Sequence, residues 1–412
     1  MTSIEPKTAA AAPADEERET MFALARGYFE RLRGGEVGIL PVLFGLGLIT
    51  LYFWSKNSNY VSAVNFNNLV IQMAGVSIIA MGVVFVLLLG EIDLSIGYVG
   101  GVGGVTVALL QQPEKSYQVA GLLAILIAVG VGAAIGAFQG SFVALIGVPS
   151  FVVTLAGLLA WQGVVQKAIG DQGVITIQDD TVNNVANYFL PERWGWALAA
   201  AAAAGYAATV LLGVLSRLRA GVRVRHPLLI GLKILLVAAL CLLIARVCNR
   251  GGGVPFPGVL VVALLIFWTY IAKRTTFGRH VYAVGGNAEA ARRTGINVKR
   301  IRIVVFMICS AMAALGGVVF AARLTSVDLN AGGGTILLDA ISAAVIGGTS
   351  LFGGRGNVRD AVVGALLISA IANGIDLVGY SSATRFIVTG MILLAAVTLD
   401  TVLRRRQAAV GR

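Results

Sequence analysis

Along this chain, polar and charged positions are confined to short stretches between long apolar runs, and that alternation predicts the elements. Runs able to cross a hydrocarbon layer of about 30 Å lie at 38–56, 69–90, 97–111, 119–140, 149–168, 195–215, 228–247, 257–273, 302–322, 336–349, 360–380 and 385–402. Each reads as a helix, because backbone in lipid must satisfy its own hydrogen bonds. Two runs, 97–111 and 336–349, fall short of the roughly 20 residues a full span needs, so they are expected to be half-helices or re-entrant pieces. The predicted fold class is an all-α polytopic membrane protein, a bundle of about 10–12 transmembrane segments with broken or re-entrant helices.

The polar stretches carry the topology. Basic residues gather in 22–37, in 217–227, in 273–302 and from Arg404 onward, and cations beside apolar spans belong on the cytoplasmic side. Twelve crossings put both termini there. Residues 1–37 read as a disordered acidic tail followed by an amphipathic helix, in which Phe22, Tyr28, Phe29 and Leu32 alternate with Arg26, Glu30 and Arg33. That helix lies on the membrane lipid or caps the bundle. Residues 38–403 form the transmembrane domain, 170–193 an external insert rich in acids, and 404–412 a basic tail. No cleavable signal peptide is expected, because the first twenty residues are polar.

Composition then narrows the function. Of 412 residues 57% are hydrophobic and 13% charged, with 52 glycines, which no soluble globular domain matches. The net charge of +12 is explained by topology rather than by a nucleic-acid footprint. Two histidines in separate loops and three cysteines without metal-type spacing offer no metal site and no cofactor site. No nucleophile is paired with a base, so an enzyme is disfavoured. No G-x-x-x-x-G-K-[ST] occurs, so ATP-driven work would need another subunit.

Lys273 to Arg302 is the longest charged run inside the bundle. Within it Asn287 is placed to cap a short helix and Gly295 to end it in the left-handed conformation, with Glu289 and Arg293 paired four residues apart. Such a helix is too short to stand alone. It reads either as a docked contact element built from Glu289, Ala290, Ala291, Arg292 and Arg293, or as an ordinary positive-inside loop.

A second feature is an echo between Gly90–Ser95 (GEIDLS) and Gly348–Gly353 (GTSLFG), each following one apolar run and preceding a glycine-rich stretch. Transporters built from internal repeats place broken helices near the midplane. Glu91, Asp93 and Ser95 on one side and Gly348, Ser350 and Gly353 on the other are the pathway or hinge candidates, with Asp93 or Ser95 the expected cap of a half-helix. The alternative is that these acids merely end one span at the water interface. Polar exceptions inside the runs, Trp161, Gln162, Asn373 and Asp376, suit contact with a neutral polar solute such as a sugar; interhelical bonding is their other reading. Asp93, Asp339 or Asp376 would instead serve proton coupling in a self-contained secondary transporter.

GEIDLSIG at Gly90–Gly97, GVPSFVVTLAG at Gly147–Gly157, TFGRHVYAVGGNAEAARRTGIN at Thr276–Asn297 and GGTSLFGGRGNVRDAVVG at Gly347–Gly364 together resemble the membrane permeases of bacterial ABC importers for monosaccharides, the ribose, galactose and xylose group. The resemblance implies a multi-pass protein of the bacterial inner membrane and a pathway formed by two permease copies. It further implies cytoplasmic ATPase subunits docked beneath and a periplasmic sugar-binding protein above. The coupling helix to the ATPase would be Asn287 to Thr294, and Glu289-Ala290-Ala291 with Gly295 resembles the EAA signature of such permeases. Ala288 stands where many relatives have proline, and Glu91 where glycine is commoner. The latter looks most like the xylose branch.

Overall fold

The computed structural model describes residues 40–112, 119–221 and 227–409. The amphipathic stretch at 22–33 and the basic residues Arg223 and Arg225 lie outside these residues. In chain order the elements are α1 Leu40–Lys56, α2 Ala63–Leu88, α3 Ile96–Leu110, α4 Gly121–Ser141, α5 Ser150–Ile169, β1 Val174–Thr176, α6 Asp180–Asn187, β2 Phe189–Leu190, α7 Glu192–Arg219 and α8 Pro227–Arg250. There follow β3 Val254–Pro255, α9 Phe256–Arg274, α10 Thr276–Gly286, α11 Ala288–Arg293, α12 Val298–Leu324, β4 Ser326–Asp328, α13 Ile336–Ile346, α14 Val358–Val378 and α15 Ser382–Ala409.

Among the described residues all twelve apolar runs are helical, and eight helices are long and apolar enough to cross a membrane. The helix α2 begins six residues before its apolar run. Ser62 caps it by accepting from the Asn65 amide at 3.2 Å, and the polar turn it adds finds partners on other helices. Asn65 exchanges two side-chain hydrogen bonds with Asn373 of α14 at 2.8 and 3.1 Å, and Asn67 donates to the carbonyls of Cys248 and Gly253. A buried amide with partners costs little, so hydropathy alone misplaced the boundary.

At the core, α12 packs against α2, α3 and α4. Lipid supplies no hydrophobic push between spans, so close backbone approach carries the contact. Gly100 lies against Ala313 and Gly317, Gly103 against Ala314, and Gly136 against Phe306. A β-carbon at Gly317 would stand on the Gly100 carbonyl. By contrast α7 and α8 pack on each other and are only 6% buried along their apolar windows.

The two ends of the bundle differ. At one end β1 pairs with β4, Ile175 opposite Val327, and β2 pairs with β3, Leu190 opposite Val254. There the 170–193 insert folds into β1, α6 and β2 instead of remaining loop. At the other end sit α10 and α11, against the last turn of α2. The half-helices α3 and α13 begin beside each other inside the bundle, where Gly97 meets Leu337 and the backbone of Gly332. From there they run toward opposite ends.

Gly317→Val is expected to force α3 from α12 and cost about 2–3 kcal/mol, read as a lowered melting temperature in detergent. Gly130→Val, which meets nothing within 4 Å, should leave melting unchanged. Equal melting of the two variants would contradict glycine-mediated packing.

Candidate functional site

At the α10–α11 end the short helix forms as its spacing predicts. Asn287 Oδ1 accepts from the Ala290 amide at 2.9 Å, and Gly295 turns out of the helix at φ +88°. Exposed Glu289 reaches Arg292 at 2.6 Å and Arg293 at 3.3 Å, while Ala291 is buried beneath them. The charged face is therefore free for a partner and the alanine face holds the helix down.

What holds it is a backbone junction. Gly285 of α10 lies directly on the Leu88 carbonyl at the end of α2, and the Gly354 amide donates to that same carbonyl at 2.8 Å. A side chain at Gly285 would collide with it. Gly90, Gly353 and Gly354, all at positive φ, close the junction, with Gly353 against Gly90 and Gly285. Tyr282 adds a tether, donating to the Gly356 carbonyl at 2.7 Å. Burial, then the nearby Asp360 carboxylate, push the Tyr282 phenol above its ordinary value. Phe277 packs near Phe85 of α2, centroids 6.5 Å apart.

The two echoed segments thus meet in space. Following Gly90, Glu91 pairs with Arg302 of α12 at 3.3 Å. Asp93 Oδ1 accepts from the Ser95 amide at 2.9 Å and its hydroxyl at 2.7 Å, and that hydroxyl also lies 3.1 Å from Gln139 Oε1 of α4. Ser95 is the first flank of α3, yet its side chain does not cap the helix; it is turned instead to Asp93 and Gln139. In the other segment the Ser350 amide donates to the Arg355 carbonyl at 2.9 Å, its hydroxyl accepts from the Phe352 amide at 3.2 Å, and Gly348 supplies a φ of +98°.

Two adjoining cavities lie among the helices toward the strand-paired end, the larger one also touching Val174 of β1 and Ser326–Asp328 of β4. The larger, of about 390 Å³, is walled by the glycine face of α3, by Gly317 to Leu324 of α12 and by the glycine-rich stretch 330–334. The smaller, of about 140 Å³, shares Phe320 and Ile336 with it and takes in Gln72, Arg323, Asp376 and Arg385. Of the sequence candidates, Asp339 and Asp376 line the smaller cavity. Asn373, one turn from Asp376, bonds to Asn65 instead. Trp161 and Gln162 are on α5 and line neither cavity. Arg323 and Arg385 escaped sequence reasoning because one follows the end of an apolar run and the other starts one, where arginine ordinarily reaches water. Among the described residues no three His, Cys, Asp or Glu side chains gather as metal ligands.

A bundle of apolar helices with an internal cavity, two half-helices starting inside it, and a charged helix fixed to one end defines a transport permease. The chain belongs to the family described as branched-chain amino acid transport system / permease component, whose model matches residues 65–397. It is 35% identical to the xylose transport system permease protein XylH of Escherichia coli K12 over 385 residues, 92% of this chain and 96% of the relative. To XylH of Haemophilus influenzae it is 33% identical, covering 90% and 98%. To the ribose import permease protein RbsC of Escherichia coli K12 it is 31% identical, covering 83% and 87%. No solved structure matches the chain.

Gly285→Val is expected to lift α10 and α11 off the end of α2 and open Arg292 and Arg293 to trypsin in membranes. Tyr282→Phe should cost about 1 kcal/mol and leave digestion slow. If Gly285→Val digests like the parent, the junction does not hold the hairpin.

Proposed function

We propose that this chain is the permease subunit of an ATP-driven ABC importer that moves a monosaccharide, xylose foremost, into the cytoplasm by alternating access. The observation that carries the reading is the junction at Leu88, where α10, which leads into the charged helix α11, meets the end of α2 and both glycine-rich turns backbone to backbone. Identity of 35% with a xylose permease, against 31% with a ribose permease, supports the choice of sugar.

In this reading the α10–α11 end faces the cytoplasm with both termini, as its basic residues require, and the strand-paired end faces a periplasmic sugar-binding protein. A cytoplasmic ATPase grips α11 through Glu289, Arg292 and Arg293. Because α11 is fixed to α10 and α10 to Leu88, a push on the helix becomes a push on Gly90–Ser95 and on the turn before α14. Closure of the ATPase changes access only if its grip is stronger in one state than the other. Two copies of the chain complete the pathway, surrounded by lipid. Proton coupling through Asp93, Asp339 or Asp376 is the rival reading, which the experiment below separates from this one.

The test is reconstitution with the ATPase and sugar-binding protein in liposomes. Glu289→Lys is expected to lower ATP-dependent xylose uptake at least tenfold while melting of the permease is unchanged, since the residue is exposed. Undiminished uptake by the variant would remove the docking role; uptake that follows a proton gradient without ATP would remove the importer reading.

A further inference from the structure

The smaller cavity holds charges that the coupling mechanism does not use. Arg323 comes from the end of α12, Asp339 from α13, Asp376 from α14 and Arg385 from α15, with Gln72 and Ser369 completing the polar wall. Two guanidinium groups and two carboxylates from four helices sum to zero charge. Charged groups inside a membrane protein are costly and mark binding sites or pathways when they face a cavity.

Their hydrogen bonds are incomplete in a specific way. Asp339 is 3% exposed; its Oδ2 accepts from Thr335 Oγ1 at 2.7 Å and meets Arg385 Nη2 only at 3.5 Å. Its Oδ1 is buried with no partner, and so is Nε of Arg385. The two residues that carry these unmet atoms, a carboxylate acceptor and a guanidinium donor, both line the cavity. Leaving both so costs the full desolvation of each group. Phe320 and Ile336, one turn from Arg323 and Asp339 on the same helices, add apolar lining shared with the larger cavity.

We propose that this cavity is a specificity subsite for a neutral polyhydroxylated ligand, which under the reading above is a pentose. Asp339 Oδ1 accepts a hydroxyl proton, Arg385 Nε donates to a neighbouring sugar oxygen, and Phe320 covers a carbon face of the ring. Charge balance selects the ligand class. An anion or cation would give this balanced site a net charge away from water, and an apolar solute would leave both orphan atoms unmet. A neutral polyol satisfies them without adding charge. Gln72 and Ser369, each both donor and acceptor, complete the recognition of further hydroxyls. The permease then reads its sugar and is more than a passive tube behind a selective binding protein.

This inference rests on the monosaccharide reading, and its test separates the two. Labelled xylose, arabinose and ribose, which differ in the orientation of single hydroxyls, are bound at equilibrium to the permease–ATPase complex in nanodiscs without binding protein. ATP-dependent uptake with binding protein is followed in parallel. The parent is expected to bind pentose directly, and Asp339→Asn to change the ratio of xylose to arabinose affinity about tenfold, the worth of one hydroxyl read by a polar group. Ser369→Ala, a small change beside the same cavity, should shift the ratio in a fold that is intact by melting. A parent that transports sugar yet binds none of the three, or variants that weaken all three equally, would overturn the subsite and leave the importer reading standing. A parent that transports no monosaccharide would remove both.

Discussion

Backbone set directly on backbone is the constraint on which this bundle depends. Membrane spans gain nothing from hiding apolar surface from lipid, so cohesion comes from close approach and internal hydrogen bonds. Gly317 on the Gly100 carbonyl holds the half-helix α3 against α12, and Gly285 on the Leu88 carbonyl holds the surface hairpin against α2. In both places a β-carbon has nowhere to go. The same contacts that build the fold therefore also make it a lever, because a contact without side chains has no rotamers to absorb a push.

Polar groups inside the bundle divide by how well they are met. Asn65 and Asn373 meet each other through both donor and acceptor, while Asn67 donates to the carbonyls of Cys248 and Gly253 and keeps an unmet Oδ1. Asp93 with Ser95 is met on one oxygen only, as is Asp339 with Thr335. The half-met carboxylates stand at the starts of the two half-helices, where the chain leaves regular structure, and only Asp339 borders a cavity. In the sequence all of these are single polar residues in apolar runs, and only the fold separates Asn65 and Asn373, which join helices, from Asp339, which borders a cavity.

The helices were legible from hydropathy because apolar length is a one-dimensional property. The ends of α11 were legible because capping acts between residues three apart, Asn287 and Ala290. The echo of Gly90–Ser95 and Gly348–Gly353 pointed to two related segments, but not to their meeting on Leu88, which depends on contacts more than 250 residues apart. Arg323 and Arg385 stood unremarked for the same reason: a terminal arginine reads as interfacial until the fold turns it inward. The start of α2 was misplaced because Asn65 and Asn67 look like loop until their distant partners are known.

The central claim is that the surface helix and the end of α2 move as one body and that the half-helices answer. Electron–electron distance measurements on the assembled transporter test it most directly, with one label pair at Arg292 and Phe352 across the junction and another at Val174 and Leu338 across the larger cavity and α13. On nucleotide binding the account predicts an unchanged distance in the first pair and a changed one in the second. A first pair that separates while the second stays fixed would show that the junction yields and that no push reaches the cavity.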